Sequence, residues 1–483
     1  KRDDPTTIGK FGVGFKAVFA YTSTPEIHSG EFHFCIHDLV VPEKPGAKIS
    51  VMGDMKTRFV FPFDHPAKRP SQAVEDIKRG LRALGDNTLL FLNNIRLIEY
   101  ILPDGSLGSL NRINHENGQI EIHANHPTGE KSVSHWLRYQ KDVKVTDENG
   151  KIKDCQIAIA YGLDKEDSRK NKQLPEWKII PIDHGQVSIY FPAEKETSNL
   201  KFHVHAPFAS TVARDSVRDC EANIQLRDHI AELIVESLID VRDRGMLSMS
   251  FLAVLPNKKD NLSRFYEPIQ DAIVQAFEEK EIVPTKNGKH KRSVSLYRGP
   301  AKISEVITDN DLSFLTGYDP PLWAANPPQQ NQREDTFLEG LEIDLFSWGE
   351  LVDKLLPPNK HYYMDVQKKE ENSKHIQRVE GWLQEKNDTW VMRFYALLGE
   401  ANDEHYKFFD AKNYRIVRVV NNEEQGHVMP CEAFFSPEQY VLSNSDVSFV
   451  KPDVYNSGRS ESQKWYSRYF LEEIGVRNFD EKA

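Results

Sequence analysis

The sequence predicts a multidomain protein of the α+β class, on three observations. Short β-rich segments recur between residues 88 and 191, separated by turn signals such as Pro103-Asp104-Gly105 and Glu148-Asn149-Gly150. Apolar residues at helical spacing mark separate amphipathic helices, at Val74, Ile77, Leu81 and Leu84 and again at Ile224, Ile230, Ile234, Leu238 and Val241. The length of 483 residues, 39% of them apolar, suffices for about three domains with packed cores.

The first region, residues 1–66, opens on Ile8-Gly9-Lys10-Phe11-Gly12-Val13-Gly14-Phe15-Lys16 and runs into the apolar stretch Ala17-Val18-Phe19-Ala20-Tyr21. Glycines at 9, 12 and 14 let backbone N–H groups turn toward a ligand where a Cβ would clash, and the run after Gly14 predicts a helix start. Exposed amides next to a positive helix end favour an anion, and Lys10 and Lys16 add mobile positive charge. The spacing G-x-x-G-x-G is neither the dinucleotide fingerprint nor the Walker loop, so on spacing alone a glycine-rich turn without a ligand competes with a phosphate cradle. Residues 31–37 alternate, which puts Phe32, Phe34 and Ile36 on one strand face and His33, Cys35 and His37 on the other. Those three are metal-ligating types, but no fourth ligand stands at a recognisable spacing, so they read as a polar strand face; His203 and His205 read the same way.

The second region, residues 67–250, begins with the helix of residues 71–85, which packs one face and leaves Lys78, Arg79 and Arg82 in water. Strands are predicted over residues 88–95, 96–102, 119–123, 133–140, 157–161 and 186–191. In Phe202-His203-Val204-His205-Ala206-Pro207 a strand ends, the polar loop Ser210-Thr211-Val212-Ala213-Arg214-Asp215-Ser216 follows, and the long helix of residues 224–241 begins. Gly245 and Pro256 bracket the end of that helix.

The third region, residues 251–483, carries a helix with Ile269, Ala272, Ile273 and Phe277 on one face, then a strand and turn over residues 282–288. Residues 329–335 are polar and predict a surface loop. Residues 336–400 read as helices packed through Leu345, Phe346, Trp348, Leu351, Val352, Leu355, Trp382, Trp390, Phe394 and Leu397, and residues 414–420 as a strand with two arginines. No G-x-S-x-G or H-E-x-x-H frame is present, and Cys431 reads as an ordinary core cysteine.

Composition narrows the function classes. A net charge of -11 argues against a surface built broadly for nucleic acid, and the one dense basic stretch, residues 286–292, reads as a solvated loop. No segment approaches the roughly twenty apolar residues of a membrane span, and no signal peptide is visible. Cys35, Cys155, Cys220 and Cys431 are scattered without C-x-x-C spacing, which implies reduced thiols and a cytoplasmic setting.

The string Ile8-Gly9-Lys10-Phe11-Gly12-Val13-Gly14-Phe15-Lys16-Ala17-Val18-Phe19 resembles the lid-end glycine motif of the GHKL ATPases: gyrase, the ninety-kilodalton heat-shock chaperone, histidine kinases and MutL. The Phe-Lys after the last glycine and the continuation Thr24-Pro25-Glu26-Ile27-His28-Ser29-Gly30 are most similar to its sacsin-like branch. The resemblance implies ATP and Mg2+ as cofactors. Gly9, Gly12, Val13, Gly14 and Phe15 would then supply backbone contacts to phosphates, with Lys10 or Lys16 as a side-chain contact. Met55-Lys56-Thr57-Arg58-Phe59-Val60-Phe61-Pro62 is similar to the strand carrying the family's Gly-Thr, which assigns Thr57 to the adenine pocket; Lys56 stands where the family has glycine. Leu89-Leu90-Phe91-Leu92-Asn93-Asn94-Ile95 resembles the opening of the family's transducer domain, and residues 282–288 look like its V-P-T-x-x-G strand and turn. The F-x-x-T-x-x-R string from Phe208 to Arg214 resembles the segment that returns a basic side chain to the γ-phosphate. Arg214 is thereby the catalytic candidate and Arg218 the second, a local pair with Asp215 or Asp219 being the competing reading.

On this resemblance residues 1–66 form the C-terminal part of an α/β-sandwich ATP-binding domain, residues 67–250 a β-rich transducer and residues 251–483 a mixed α/β scaffold or partner-binding region. The family's catalytic glutamate, Mg-binding asparagine and adenine-reading aspartate precede the lid, so the resemblance implies a fragment that by itself hydrolyses nothing. It further implies an ATP-driven conformational switch of chaperone or sacsin type, with protein clients, partner subunits or a second copy as partners, while the acidic balance and the lack of an apolar span disfavour nucleic acid and a membrane. The alternatives are a DNA-associated MORC-like or MutL-like ATPase and a nucleotide-binding scaffold without turnover.

Overall fold

The structure is a computed structural model that describes residues 13–46, 55–147, 150–165, 177–210, 216–317, 321–329, 331–356, 366–403, 411–412, 414–421, 424–436 and 447–479. It is an α+β protein and divides into two compact units, residues 1–276 with 329–340, and residues 277–328 with 341–483. Among the described residues no helix is long and apolar enough to cross a membrane.

The first unit opens with the short helix α1 (Val13–Lys16) and a 3-10 turn, Ala17–Ala20. A four-stranded antiparallel sheet follows, made of β1 (Glu26–Ser29), β2 (Phe32–His37), β3 (Val41–Glu43) and β4 (Thr57–Val60) in the order β3-β2-β1-β4. Gly30, at a φ of +56°, makes the tight β1–β2 turn that few other residues accept. Helix α2 (Pro70–Arg82) starts on a proline, whose missing N–H is no loss in a first turn. It buries Ala73 and leaves Ile77 40% exposed, so its packed face is narrower than the periodicity predicts.

A nine-stranded sheet dominates the rest of this unit. Strands β5 (Leu97–Ile101), β6 (Leu107–Asn114), β7 (Gln119–Asn125), β8 (Lys131–Thr146) and β9 (Ile152–Lys165) form a meander of antiparallel pairs. Strands β10 (Trp177–Ile180), β11 (Gln186–Ile189), β12 (Phe191–Thr197) and β13 (His203–His205) complete it, β13 lying between β9 and β11. Helix α3 (Glu221–Asp243) lies over β8 and β9 with Ile230, Ile234, Leu238 and Val241 fully buried. It is pinned there by Tyr139 to Asp240 (2.6 Å), Lys141 to Glu236 (2.6 Å) and Tyr161 to Ser237 (2.9 Å).

Two predicted strands come out differently. Residues 88–95 form no strand: a 3-10 turn, Asp86–Leu89, runs into a coil that buries Leu89, Leu90 and Leu92. Its buried carbonyls are met by side chains instead of a ladder, Arg112 donating to the carbonyls of Leu89 (2.5 Å) and Leu92 and Arg138 to that of Leu90 (2.9 Å). Residues 186–191 break at Tyr190, whose φ of +70° reverses the chain between β11 and β12.

Helix α4 (Glu267–Glu279) contains the boundary between the units. In the second unit a parallel three-stranded sheet centres on Leu296–Arg298, and a five-stranded sheet, which includes Val417–Asn421, on Ser448–Val450. The predicted turn at residues 285–288 forms, with Gly288 at a φ of +77°. Helices Trp348–Leu355, Val366–Gln384, Asp388–Asp403 and Glu461–Ile474 share one core with Trp323, Phe346, Trp382, Phe394, Tyr395 and Phe470. Leu345 is 66% exposed and contributes nothing to that core. Arg418 is buried, held by Asp388 (2.8 Å) and the Leu383 carbonyl (3.0 Å). Back in the first unit, the predicted surface loop of residues 329–335 instead leads into the helix Arg333–Leu338. Arg333 is fixed there by Asp260 (2.8 Å) and by the carbonyls of Ala253 (2.7 Å) and Leu255 (3.1 Å).

Candidate functional site

Gly9, Lys10 and Gly12 lie outside the described residues, and of Val13 and Gly14 only the helical backbone is described. Phe15 and Lys16 follow in α1, with Lys16 exposed. The Phe15 ring meets Phe59 and Phe61, its centroid 6.1 Å and 6.4 Å from theirs, and Phe59 and Phe61 stack at 6.1 Å. Thr57 is two residues before Phe59 on β4, and side chains two apart share a face. The end of the glycine motif and the Thr57 strand are therefore neighbours on one sheet face.

That face is set by register. Ser29 opposes Thr57 and Phe32, while Ile27 opposes Phe59 and Phe34. Thr57 and Ser29 share a hydroxyl hydrogen bond of 2.8 Å, and Ser29 also donates to the Lys56 carbonyl at 3.2 Å. Thr57 is exposed, Phe59 is 51% exposed and Phe32 73%. The result is a half-open apolar surface with one tethered hydroxyl pair, suited to a flat ring with a hydrogen-bonding edge. Neither Phe59 nor Phe61 stands out in the sequence, although their i+2 and i+4 spacing from Thr57 was a readable signal.

The opposite face is polar and in part buried. His28 is fully buried, its Nδ1 3.0 Å from Nδ1 of His33 and its Nε2 3.2 Å from Glu26. Cys35 is buried, with Sγ 3.4 Å from His37. No group of three or more His, Cys, Asp or Glu among the described residues is placed to hold a metal ion, so no Mg2+ ligand set is found there. The segment after α1 is tied down by Asp64, which accepts from Ser23 N–H (2.6 Å), Thr24 Oγ1 (2.6 Å) and Thr22 Oγ1 (3.1 Å). Burial alone would raise the Asp64 carboxyl, but the bonds from Thr24, Ser23 and Thr22 outweigh it and hold the group below its ordinary range. Nothing in the sequence singles out Asp64.

Arg214 lies outside the described residues. Its flanks are described: Ser210 bridges Val217, and the Arg218 N–H donates to the Ala209 carbonyl at 2.9 Å. Arg218 is exposed, at the entrance to α3. His203 and His205 are core groups. His203 Nδ1 accepts from Gln186 N–H (2.9 Å), and the His205 ring stacks on Phe91 at 5.2 Å. Burial lowers both imidazoles to about 4, so they are neutral packing groups.

No family model matches the chain, and no solved structure matches it. Among curated proteins it is similar to Protein NO VEIN of Arabidopsis thaliana, with 26% identity over 258 residues. The match covers 48% of this chain and 9% of that much longer protein.

Proposed function

We propose that residues 8–61 contribute to an ATP site of the GHKL type, sacsin-like in its motifs, and that nucleotide binding there drives a conformational switch. The observation that carries the reading is the contact of Phe15, at the end of the glycine motif, with Phe59 and Phe61 on the Thr57 strand. Two motifs 40 residues apart in sequence thus share one surface, as a nucleotide with its base on the strand and its phosphates on the glycines requires. Thr57 and Ser29 supply a hydroxyl pair for the base edge, and Lys16 supplies positive charge beside the phosphates. Bound ATP with Mg2+ would bring a cleavable phosphoanhydride and the charge that basic residues sense. Arg214 and Arg218 are the candidates for that sensing, and the second unit is the candidate scaffold for a client or partner subunit.

The test is ATP binding and turnover by the full-length gene product beside the variants Thr57→Val, Arg214→Ala and the double variant Gly12→Ala, Gly14→Ala. The reading expects binding to weaken in the first and to vanish in the glycine variant, and turnover to fall with binding kept in Arg214→Ala. Binding without turnover in the wild type would make the chain a nucleotide-dependent scaffold, and turnover that rises with added DNA would favour a DNA-directed relative. Absence of ATP binding in the wild type would overturn the reading.

A further inference from the structure

The two outer strands of the nine-stranded sheet are finished differently. At one edge β12 carries Pro192 and Lys195, and its pairing with β11 shifts register between Gln186 and Ser188. Proline, lysine and irregular pairing keep an open edge from taking on another strand. At the other edge β5, Leu97-Ile98-Glu99-Tyr100-Ile101, has neither residue and matches β6 position for position. The ends of that ladder tell which backbone groups of β5 stay open. The Arg112 N–H donates to the Arg96 carbonyl at 2.8 Å and the Leu102 N–H to the Ser106 carbonyl at 2.9 Å, so residues 96, 98, 100 and 102 bond toward β6. Alternation then turns the N–H and C=O groups of Leu97, Glu99 and Ile101 away from the sheet.

The side chains of those three residues share one exposed face, where Ile101, 71% exposed, lies opposite Leu107, 65% exposed. Along the edge the pattern is apolar, acidic, apolar, and Glu99 is the only charge on the strand. We propose that β5 is a docking edge for an extended segment of another protein. The segment adds as an antiparallel strand, with a lysine or arginine opposite Glu99 and an apolar residue two positions away on either side. Open backbone groups supply the attraction, and the side-chain pattern supplies the choice. A second copy of this chain is a poorer occupant, because a two-fold pairing of β5 with β5 over its full length sets Glu99 against Glu99 on the axis. Nothing in this role requires a nucleotide.

The probe is a blocked, fluorescein-labelled nonapeptide of threonine with valine, lysine and valine at its third, fifth and seventh positions, titrated with the full-length protein by fluorescence anisotropy. Binding is expected, with slower amide hydrogen exchange at Leu97, Glu99 and Ile101. Glu99→Pro deletes one outward N–H and leaves the ladder to β6 whole, so it should weaken binding by at least about 10-fold. Glu99→Gln removes the charge alone and should weaken it by no more than about 5-fold. Glu99→Lys should prefer the peptide whose lysine is exchanged for glutamate. If Glu99→Pro does not fold, the wild type carries the same test with a peptide N-methylated at its lysine and both valines, which should not bind. The docking edge is overturned if the wild type leaves the parent peptide unbound at millimolar concentration. It is also overturned if Glu99→Pro binds as the wild type does, or if the N-methylated peptide binds as its parent does. A concentration-dependent dimer of the wild type that Glu99→Pro abolishes would overturn it in favour of a second copy.

Discussion

The two sheets of the first unit differ in how much of their aromatic surface they bury. In the nine-stranded sheet Ile157, Ile159, Ala160 and Tyr161, on both faces of β9, and Phe202 just before β13 are fully buried, with His203 and His205 packed among them. In the four-stranded sheet His28 and Cys35 are buried while Phe32 and Phe59 stand in solvent. Alternation has the same period in both, so it tells which residues share a face and not which face is inside. A small sheet that buries His28 and leaves Phe32 and Phe59 open presents apolar surface outward.

The contrast predicts a graded response to mutation. Phe202→Ala removes a fully buried ring that packs 5.2 Å from Tyr161, and should cost about 3–5 kcal/mol in chemical denaturation. A comparable loss from Phe32→Ala would erase the distinction between the sheets. The next effect is one of pH. His203 and His205, near 4 in the folded protein, take up protons from about 6.5 downward only when unfolded. Their contribution is complete above pH 6.5 and is lost as pH falls toward 4, by about 1.4 kcal/mol per pH unit for each histidine. Denaturation midpoints between pH 7 and 5 measure this, and the double variant His203→Gln, His205→Gln should flatten the profile. The Asp64 carboxylate gives a smaller step of the same sign at lower pH, since its lowered value confers stability above the ordinary carboxylate range that is lost as pH falls below it. Asp64→Asn should therefore cost about 1 kcal/mol at neutral pH, read from the same denaturation curves, and remove the acid step.

How much of this was legible in the sequence follows from the same physics. Strand β7 and helix α3 stand close to their predicted ranges because most of their buried positions are apolar and periodic. Strand β6 (Leu107–Asn114) is absent from the sequence reading because its inward residues are Gly108, Leu110 and Arg112, and a glycine and an arginine break the apolar period. Residues 88–95 look like a strand because Leu89, Leu90, Phe91 and Leu92 form a short apolar run. What the sequence hides is that Arg112 and Arg138, far along the chain, supply the donors that let their carbonyls leave a ladder. Buried Arg112 is in turn lowered to about 10 by burial, then by Arg138 and Arg96. Of the candidate site, Phe15, Lys16 and Thr57 carried a sequence signal. Asp64 carried none, because a side chain that bonds to distant backbone leaves no local pattern.

The smallest stability effect is also the one that sharpens the comparison most. Phe59 is half exposed, so Phe59→Ser should change stability by no more than about 0.5 kcal/mol, the range of ordinary surface substitutions. If the apolar face of the small sheet receives the base of a nucleotide, the same change should weaken ATP binding, since the ring next to Phe15 and on the face of Thr57 is gone. Phe32→Ser is the control on the same face: it opposes Ser29, and no ring contact links it to Phe15 among the described residues. Titration calorimetry with ATP, run beside denaturation on both variants, separates the cases. Loss of binding in Phe59→Ser alone, with both proteins equally stable, would show an aromatic surface kept open for a ligand. Loss of stability without loss of binding would show instead that the phenylalanine face is core after all, and that the two sheets differ in exposure but not in kind.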